Sequence, residues 1–180
     1  DSKIVVVYTA TLNAGANIGS AGNVNKAYLE FSNDPDADGT PTVGKTPEDA
    51  VLVFTYELDV NKVDGAATST KLDGAEFVLL NSDGTKVATV ENKVLTGWID
   101  VPAADTTTNK ITWPDNTKLI SENGLFAVKG LDTATYTLRE IKAPAGYNLL
   151  TKDITLVITG TNNAVAGEET NPVDTATLNF

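Results

Sequence analysis

The stretch YTLREIKAPAGYN, residues 136–148, combines a β-strand pattern with one glutamate in an unexpected position. Tyr136, Leu138 and Glu140 alternate along the sequence, so they fall on the same face of a strand. That face carries a tyrosine and a leucine and should point into a core. A buried, unpaired carboxylate is unfavourable and tends to become neutral. Glu140 therefore either lies at an edge, where water reaches it, or is kept for chemistry.

Patterns typical of β-strands cover most of the chain. They are rich in Val, Tyr, Phe, Thr and Leu, and turn-forming clusters such as NSDGTK and APAGYN separate them. The predicted strands lie at 3–13, 26–33, 50–64, 75–81, 136–141, 153–160 and 175–180. No pattern predicts a helix longer than a turn or two. The predicted fold class is all-β, an Ig-like β-sandwich with Greek-key connections.

A Gly-, Pro- and Asp-rich stretch at 33–49 divides these strands into two unequal sets. We therefore predict two parts, residues 1–52 and residues 53–180, of which only the second has enough strands for a complete sandwich. Residues 91–123 should form a long excursion between strands, anchored by Trp98 and Trp113. Because the sequence starts and stops within predicted strands, we expect it to be a fragment of a longer mature protein.

The composition argues against several classes of function. The 180 residues carry a net charge of −11 and include no cysteine, histidine or methionine. An acidic chain without a basic patch is not expected to bind nucleic acid. Without imidazole or thiolate, Ser-His-Asp catalysis, Cys-His catalysis and the usual zinc sites are excluded. We expect no cofactor, no disulfide and no membrane insertion, since no apolar stretch reaches about 18 residues.

The acidic turn DPDADG, residues 34–39, resembles the start of a calcium-binding loop. An EF-hand loop would end with a glutamate at its twelfth position, where this chain has Lys45, and no predicted helices flank it. A solvated acidic turn is the better interpretation, and we predict no metal site.

A lysine ends one of the predicted core-facing rows. Phe54, Tyr56, Leu58, Val60 and Lys62 alternate on one face of a strand, which places the amine at the inner end of an apolar row. At a strand end the long side chain can instead reach solvent, and spacing alone favours that outcome.

A lysine and a glutamate that both face a core can form a buried ion pair, or they can react. A dry environment favours the neutral forms of both groups, so a proton can pass from the amine to the carboxylate. The neutral amine is then a nucleophile, and a neighbouring Asn or Asp side chain would be its electrophile. The protonated carboxyl polarises the amide and carries protons. The product would be a Lys–Asn isopeptide bond, formed with loss of ammonia.

The motifs around these two residues resemble the backbone pilins of Gram-positive bacteria, and residues 53–180 are similar to a CnaB-type domain. YELDVNKVDG (56–65) resembles the first strand with its reactive lysine, and KLDGAEFVLLNSDGTKVA (71–88) resembles the stretch that follows. GLFAVKGLDTATYTLREIKAPAGY (124–147) resembles the segment that ends in the E-box. The resemblance implies an isopeptide bond between Lys62 and an asparagine of the last strand, with Glu140 assisting.

The acceptor asparagine is harder to assign. Asn179 is the only asparagine of the last predicted strand, but Ala176, Leu178 and Phe180 share the apolar face, so alternation points Asn179 away from it. Either a bulge turns Asn179 inward, or the acceptor is the next in-phase residue, beyond the chain end. Three further asparagines, predicted to lie in turns, are weaker candidates: Asn162, Asn163 and Asn171.

The first segment also resembles these pilins, as the last strands of a domain that precedes the CnaB-type one. Ala27, Leu29, Phe31 and Asn33 alternate in phase, which makes Asn33 a second candidate acceptor. Its lysine would normally lie on an early strand of the same domain, and Lys3 is the only early lysine here. Asn33 can equally open an Asx-type turn at NDPD.

The resemblance implies a structural protein and not an enzyme, because cross-linking is a single self-catalysed event. The protein would be a fragment of a cell-wall-anchored pilus shaft outside the cell, joined by sortase to other pilin subunits. The alternative is the stalk of an adhesin that binds a host surface or matrix ligand, for which residues 91–123 would be the only candidate insertion. A glycoside-active sandwich would need two carboxylates in a cleft and exposed aromatic residues, and the sequence indicates neither.

Overall fold

The computed structural model describes residues 5–13, 15–19, 21–33, 39, 42–159 and the strand at 176–179. The strands are β1 (Asn23–Ala27), β2 (Glu30–Ser32), β3 (Val43–Lys45), β4 (Asp49–Val53), β5 (Tyr56–Asn61), β6 (Glu76–Leu80), β7 (Lys86–Glu91), β8 (Val94–Asp100), β9 (Leu119–Ile120), β10 (Leu125–Leu131), β11 (Ala134–Lys142), β12 (Ile154–Ile158) and β13 (Ala176–Asn179). Within these ranges the one helical element is a 3-10 turn at Asp115–Thr117. No helix among the described residues is long and apolar enough to cross a membrane.

Nine of the described strands form one mixed sheet. Their order is β12-β11-β6-β7-β8-β10-β5-β13, with β9 beside β6. β5 pairs with β10 antiparallel and with β13 parallel, so the first and last strands of the main sheet are neighbours. β11 lies between β6 and β12 and is antiparallel to both.

This sheet folds over on itself into two layers. Phe77 on β6 meets Phe126 on β10 with ring centroids 5.1 Å apart, although β7 and β8 separate these strands in the order. Trp98 on β8 stacks on Tyr136 of β11, with ring centroids 5.9 Å apart and planes 7° from parallel. Strands that are distant along the ladder can meet only if two faces oppose each other. The predicted all-β sandwich is therefore confirmed.

The alternating residues of the two strands that the sequence singled out form part of the core. Tyr56, Leu58 and Val60 of β5 are buried, as are Tyr136 and Leu138 of β11. They belong to one apolar cluster that also includes residues of β6, β10 and β12. The predicted facing of both rows is confirmed, because each apolar position falls on the inner side of the pleat.

The N-terminal segment departs from the prediction. Residues 5–13, expected to continue a strand, form none in the structure, and Val5, Val6 and Val7 are exposed. The strand predicted at 26–33 is two strands, β1 and β2, interrupted at residues 28 and 29. β-propensity alone did not make a strand here, because a strand also needs a partner for its backbone groups.

The strands of this segment pair only with each other among the described strands. β1 pairs with β4 and β2 pairs with β3, each in a two-stranded sheet outside the main one. Leu29 and Phe31, which alternate in phase in the sequence, have 60% and 46% of their surface exposed. The segment therefore presents apolar side chains to solvent. β4 and β5 follow each other in the sequence but belong to different sheets.

The predicted excursion at 91–123 contains more regular structure than expected. It includes β8, which forms a hairpin with β7, and the short strand β9. Trp98 lies within β8, and Trp113 packs on a second small cluster of Val78, Leu80 and Val87. The tryptophans do anchor this region, but Trp98 does so as part of a strand.

Candidate functional site

Lys62 directly follows β5, and its backbone is held on both sides. Its N–H donates to the carbonyl of Gly124 at 2.7 Å, and its carbonyl accepts from the N–H of Leu72 at 2.9 Å. Gly124 has a φ of +71°, and a Cβ there would lie 2.8 Å from the Lys62 carbonyl oxygen. This close approach requires glycine, so the neighbouring chain can pass near enough to fix Lys62.

Glu140 lies near the end of β11, on the inner face shared with Tyr136 and Leu138. Its side chain is completely buried, while that of Lys62 is 10% exposed. The outcome that spacing alone favoured for Lys62, a side chain that reaches solvent, is not what the structure has. The amine instead turns inward at the end of the apolar row.

The structure brings these two side chains together. Lys62 Nζ is 3.0 Å from Glu140 Oε1, and the Lys62 amine is 5.8 Å from the centre of the Phe77 ring. The short distance marks an ion pair, yet Oε1 accepts no hydrogen bond of good geometry. Attraction between the charges depends on their separation and not on hydrogen-bond angles, so the two groups attract each other without an aligned hydrogen bond. The pair thus lies in apolar surroundings, and no aligned hydrogen bond to Oε1 adds to the attraction between the charges.

The second oxygen of Glu140 is held by the backbone. Oε2 accepts a hydrogen bond from the N–H of Leu150 at 2.8 Å. Leu150 belongs to the loop that follows β11, where Gly146 has a φ of +84° and the Tyr147 N–H closes a turn on the Pro144 carbonyl at 3.1 Å. One carboxylate oxygen is therefore fixed by a backbone donor while the other faces the amine.

A further hydrogen bond joins this loop to the segment after Lys62. The Tyr147 hydroxyl donates to Asp64 Oδ2 at 2.9 Å. The pKa of Asp64 is lowered, first by the backbone N–H of Ala66 and then by the Tyr147 hydroxyl. The pKa of Tyr147 is raised, chiefly by its hydrogen bond to Asp64.

The two candidate acceptors lie in different places. In the parallel ladder of β13 and β5, Asn179 pairs with Asn61, the residue before Lys62, and Leu178 pairs with the buried Val60. β13 therefore runs beside the strand of the lysine. Asn33 follows β2 in a separate sheet, is exposed, and its N–H donates to the Thr42 carbonyl at 2.9 Å.

Several residues singled out in the sequence lie outside the described residues. They are Lys3, the side chain of Asn179, the acidic stretch 34–38, and Asn162, Asn163 and Asn171. Among the described residues, no group of three or more carboxylates could hold a metal ion.

Comparison with known proteins identifies the family. Residues 56–171, which include both Lys62 and Glu140, match the family described as the SpaA prealbumin-like fold domain. The chain belongs to this family. Over 157 residues this SpaA-family chain is 31% identical to the trypsin-resistant surface T6 protein of Streptococcus pyogenes serotype M6, a match that covers 82% of the chain. It spans only 24% of that relative's length.

Solved structures of pilins share the fold. The major pilin GBS80 of Streptococcus agalactiae, as a C-terminal fragment, is 26% identical with a TM-score of 0.57, covering 91% of this chain and 55% of that one. The T6 backbone pilin of Streptococcus pyogenes is 24% identical with a TM-score of 0.53, covering 82% and 27%. BcpA, the major pilin subunit of Bacillus cereus, has a TM-score of 0.55 at 20% identity, covering 92% and 39%. The resemblance to Gram-positive backbone pilins is thereby confirmed.

Two parts of the site were missed by sequence reasoning. The Leu150 donor is a backbone N–H, which every residue except proline carries, so no residue type signals it. The partnership of Asp64 and Tyr147 spans 83 positions, and nothing in the local pattern of either residue predicts it. Both contacts depend on the tertiary path of the loop after β11.

Proposed function

We propose that this SpaA-family chain is part of a structural subunit of a pilus shaft, stabilised by an isopeptide bond between Lys62 and an asparagine. The observation that supports it best is the buried Lys62 Nζ lying 3.0 Å from Glu140 Oε1 in a domain related to backbone pilins. An ion pair this deep is poor evidence of stabilisation by itself, because desolvation offsets the attraction. A role in a chemical reaction would account for a buried ion pair that adds little stability.

The proposed reaction uses only these side chains and one amide. Glu140 takes a proton from the Lys62 ammonium, and the neutral Nζ attacks the Cγ carbon of the asparagine side chain. The new C–N bond forms as the bond from Cγ to the amide nitrogen breaks. Nζ gives up two protons in becoming an amide N–H: Glu140 passes one to the departing nitrogen, and the second leaves with the ammonia as ammonium. Glu140 is not consumed, but the reaction happens only once in each chain. We therefore do not regard the protein as an enzyme.

Asn179 is the acceptor we propose first, with Asn33 as a second candidate. The pairing of β13 beside β5 supports Asn179, since it brings the backbone of the last strand next to the end of β5. Its register partner is Asn61 and not Lys62, so the reaction also requires a local shift or bulge of β13.

We further propose that residues 1–52 are the C-terminal part of a preceding pilin domain and residues 53–180 the isopeptide domain. The family match begins at residue 56, and β1 to β4 pair outside the main sheet. The whole subunit would lie outside the cell in a wall-anchored pilus, with sortase joining it to other pilin subunits. A covalent cross-link suits that setting in a chain without cysteine.

Intact-mass measurement tests the cross-link. The chain should be lighter than its sequence by one ammonia, and Glu140→Gln and Lys62→Ala should each restore the full mass. Lys142→Ala is the matched control, since Lys142 also lies on β11 and pairs with Glu76 at 2.7 Å, but is exposed. Fragmentation of the cross-linked peptide then identifies the acceptor. A wild-type chain of full sequence mass would refute the proposal.

A further inference from the structure

A second contact joins the two segments that carry Lys62 and Glu140. Asp64 lies two residues after Lys62, and Tyr147, which donates to it, lies in the loop between Glu140 and Leu150. Two contacts therefore join these segments. One is the buried ion pair of Lys62 and Glu140, and the other is the more exposed hydrogen bond from the Tyr147 hydroxyl to Asp64.

Burial does not hold the loop after β11 in place, so its position depends on hydrogen bonds such as the one between Tyr147 and Asp64. Pro144 is buried, but residues 145–153 are all exposed, including Leu150, whose N–H must meet Glu140 Oε2. An exposed loop is mobile unless hydrogen bonds hold it. The Asp64 side of the bond is itself ordered, because Asp64 Oδ1 accepts from the Ala66 N–H at 2.8 Å and the Asp64 N–H donates to the Thr70 carbonyl at 2.9 Å.

We propose that the Tyr147–Asp64 hydrogen bond is a latch that positions the Glu140 carboxyl for cross-linking. By holding the loop at 143–150, it keeps the Leu150 N–H on Oε2 and so leaves Oε1 directed at the Lys62 amine. Tyr147 and Asp64 are positioning residues that do not touch the reacting atoms. The inference rests on the proposed cross-link, and it adds two residues to the machinery.

The test follows cross-linking in time. The chain is made in a cell-free reaction, synthesis is stopped at a fixed moment, and intact mass is sampled for loss of ammonia. Tyr147→Phe and Asp64→Ala should each slow that loss by roughly 3- to 10-fold, the rate equivalent of one hydrogen bond. The double variant should be no slower than either single one. Asp64→Asn keeps a polar partner for the phenol and should react at close to the wild-type rate.

Hydrogen exchange gives a second readout that does not depend on the cross-link. In Tyr147→Phe the Leu150 amide should exchange faster, while core amides of β11 keep their protection. Tyr28→Phe, at an exposed tyrosine of the N-terminal segment, is the control and should change neither the rate nor the exchange.

The outcomes separate the two proposals. If the wild-type chain loses ammonia and Tyr147→Phe does so at the same rate, the latch is wrong and the cross-link stands. If the wild-type chain keeps its full mass, the cross-link is wrong, and the role of the latch in cross-linking is wrong with it. If the wild-type chain loses ammonia, unchanged protection of the Leu150 amide in Tyr147→Phe would overturn the latch, and faster exchange together with slower cross-linking would support it.

Discussion

Glu140 has two oxygens in different situations. One accepts a well-formed hydrogen bond from the Leu150 N–H, and the other lies 3.0 Å from an ammonium without an aligned hydrogen bond. A buried polar atom left in this state is costly, so it calls for an explanation. A carboxylate that must accept and return a proton cannot have both oxygens saturated by fixed donors. The arrangement suits a reacting group better than a purely structural ion pair.

The energetics of the pair can be tested apart from the cross-link. In a background with Asn179→Ala that retains its full mass, Lys62→Met should destabilise the domain by about 3 to 5 kcal/mol, because it leaves a buried carboxylate unpaired. Adding Glu140→Gln should recover a large part of that loss, since no buried charge remains. Urea unfolding measures both changes. If the double variant is less stable than Lys62→Met alone, the buried charge is not the cause of the loss.

Asp64 gives a pH-dependent prediction at the same scale. Its pKa is lowered by hydrogen bonds to the ionised form, so its stabilising effect is present above the ordinary aspartate pKa of about 3.9 and is lost as pH falls through the lowered value. Tyr147→Phe removes one donor and should raise the pKa of Asp64 part of the way, because the Ala66 N–H remains. Carbon NMR titration of the carboxyl measures this. Asp83, whose pKa is lowered by Thr85, should not change, and an unaltered Asp64 titration would contradict the contact.

At the scale of single elements, alternation predicted β5 and β11 but not β7, β8 or β10, although all five pair within the main sheet. In β5 and β11 the apolar residues recur at every second position, and both rows are buried as expected. Residues 5–13 have the same β-forming composition but form no strand, because composition does not specify a partner. β8 lies within the predicted excursion, because Gly97 and scattered polar residues blur its alternation. The local sequence pattern thus predicts which side chains of a strand face the core, whereas the choice of neighbouring strand depends on the tertiary structure.

The region after β8 should contribute to stability through Trp113. This side chain is partly buried and covers Val78, Leu80 and Val87 on the outer face of the sheet. Trp113→Ala should cost about 2 to 3 kcal/mol in urea unfolding, less than the ~3–5 typical of fully buried tryptophan. Ile99→Ala, at a more exposed site on β8, is the control and should cost under about 1 kcal/mol. Equal losses in the two variants would mean that Trp113 does not cover this cluster.

At the scale of the whole molecule, the proposed bond would change how force passes through the domain. β5 and β13 are parallel neighbours, so pulling the chain at residues before β5 and after β13 shears one strand against the other. A bond between Lys62 and Asn179 would close the chain between them into a loop that bears no load. On the chain-entropy model, closing a loop of about 100 residues stabilises by roughly 4 to 5 kcal/mol.

Force spectroscopy can detect this directly. Pulled through its termini, the cross-linked chain should show no extension from the residues between Lys62 and Asn179. Lys62→Ala should add a stretch of that contour length at a finite force, because only hydrogen bonds then hold β5 to β13. Lys142→Ala, which removes an exposed lysine, should behave like the wild type. An unfolding length of that size in the wild-type chain would show that no covalent bond closes the loop.

The two parts of the chain should differ when separated. The described strands of the first part form two-stranded sheets, and Val24, Leu29, Phe31, Val43 and Val51 are exposed on them. Such pieces do not bury enough apolar surface to offset the entropy of ordering the chain. Residues 1–48 expressed alone should therefore give a narrow, disordered NMR spectrum or aggregate. Residues 53–180 contain the buried cluster of the main sheet and should give a dispersed one. A dispersed spectrum from residues 1–48 would mean that this segment is a folding unit by itself.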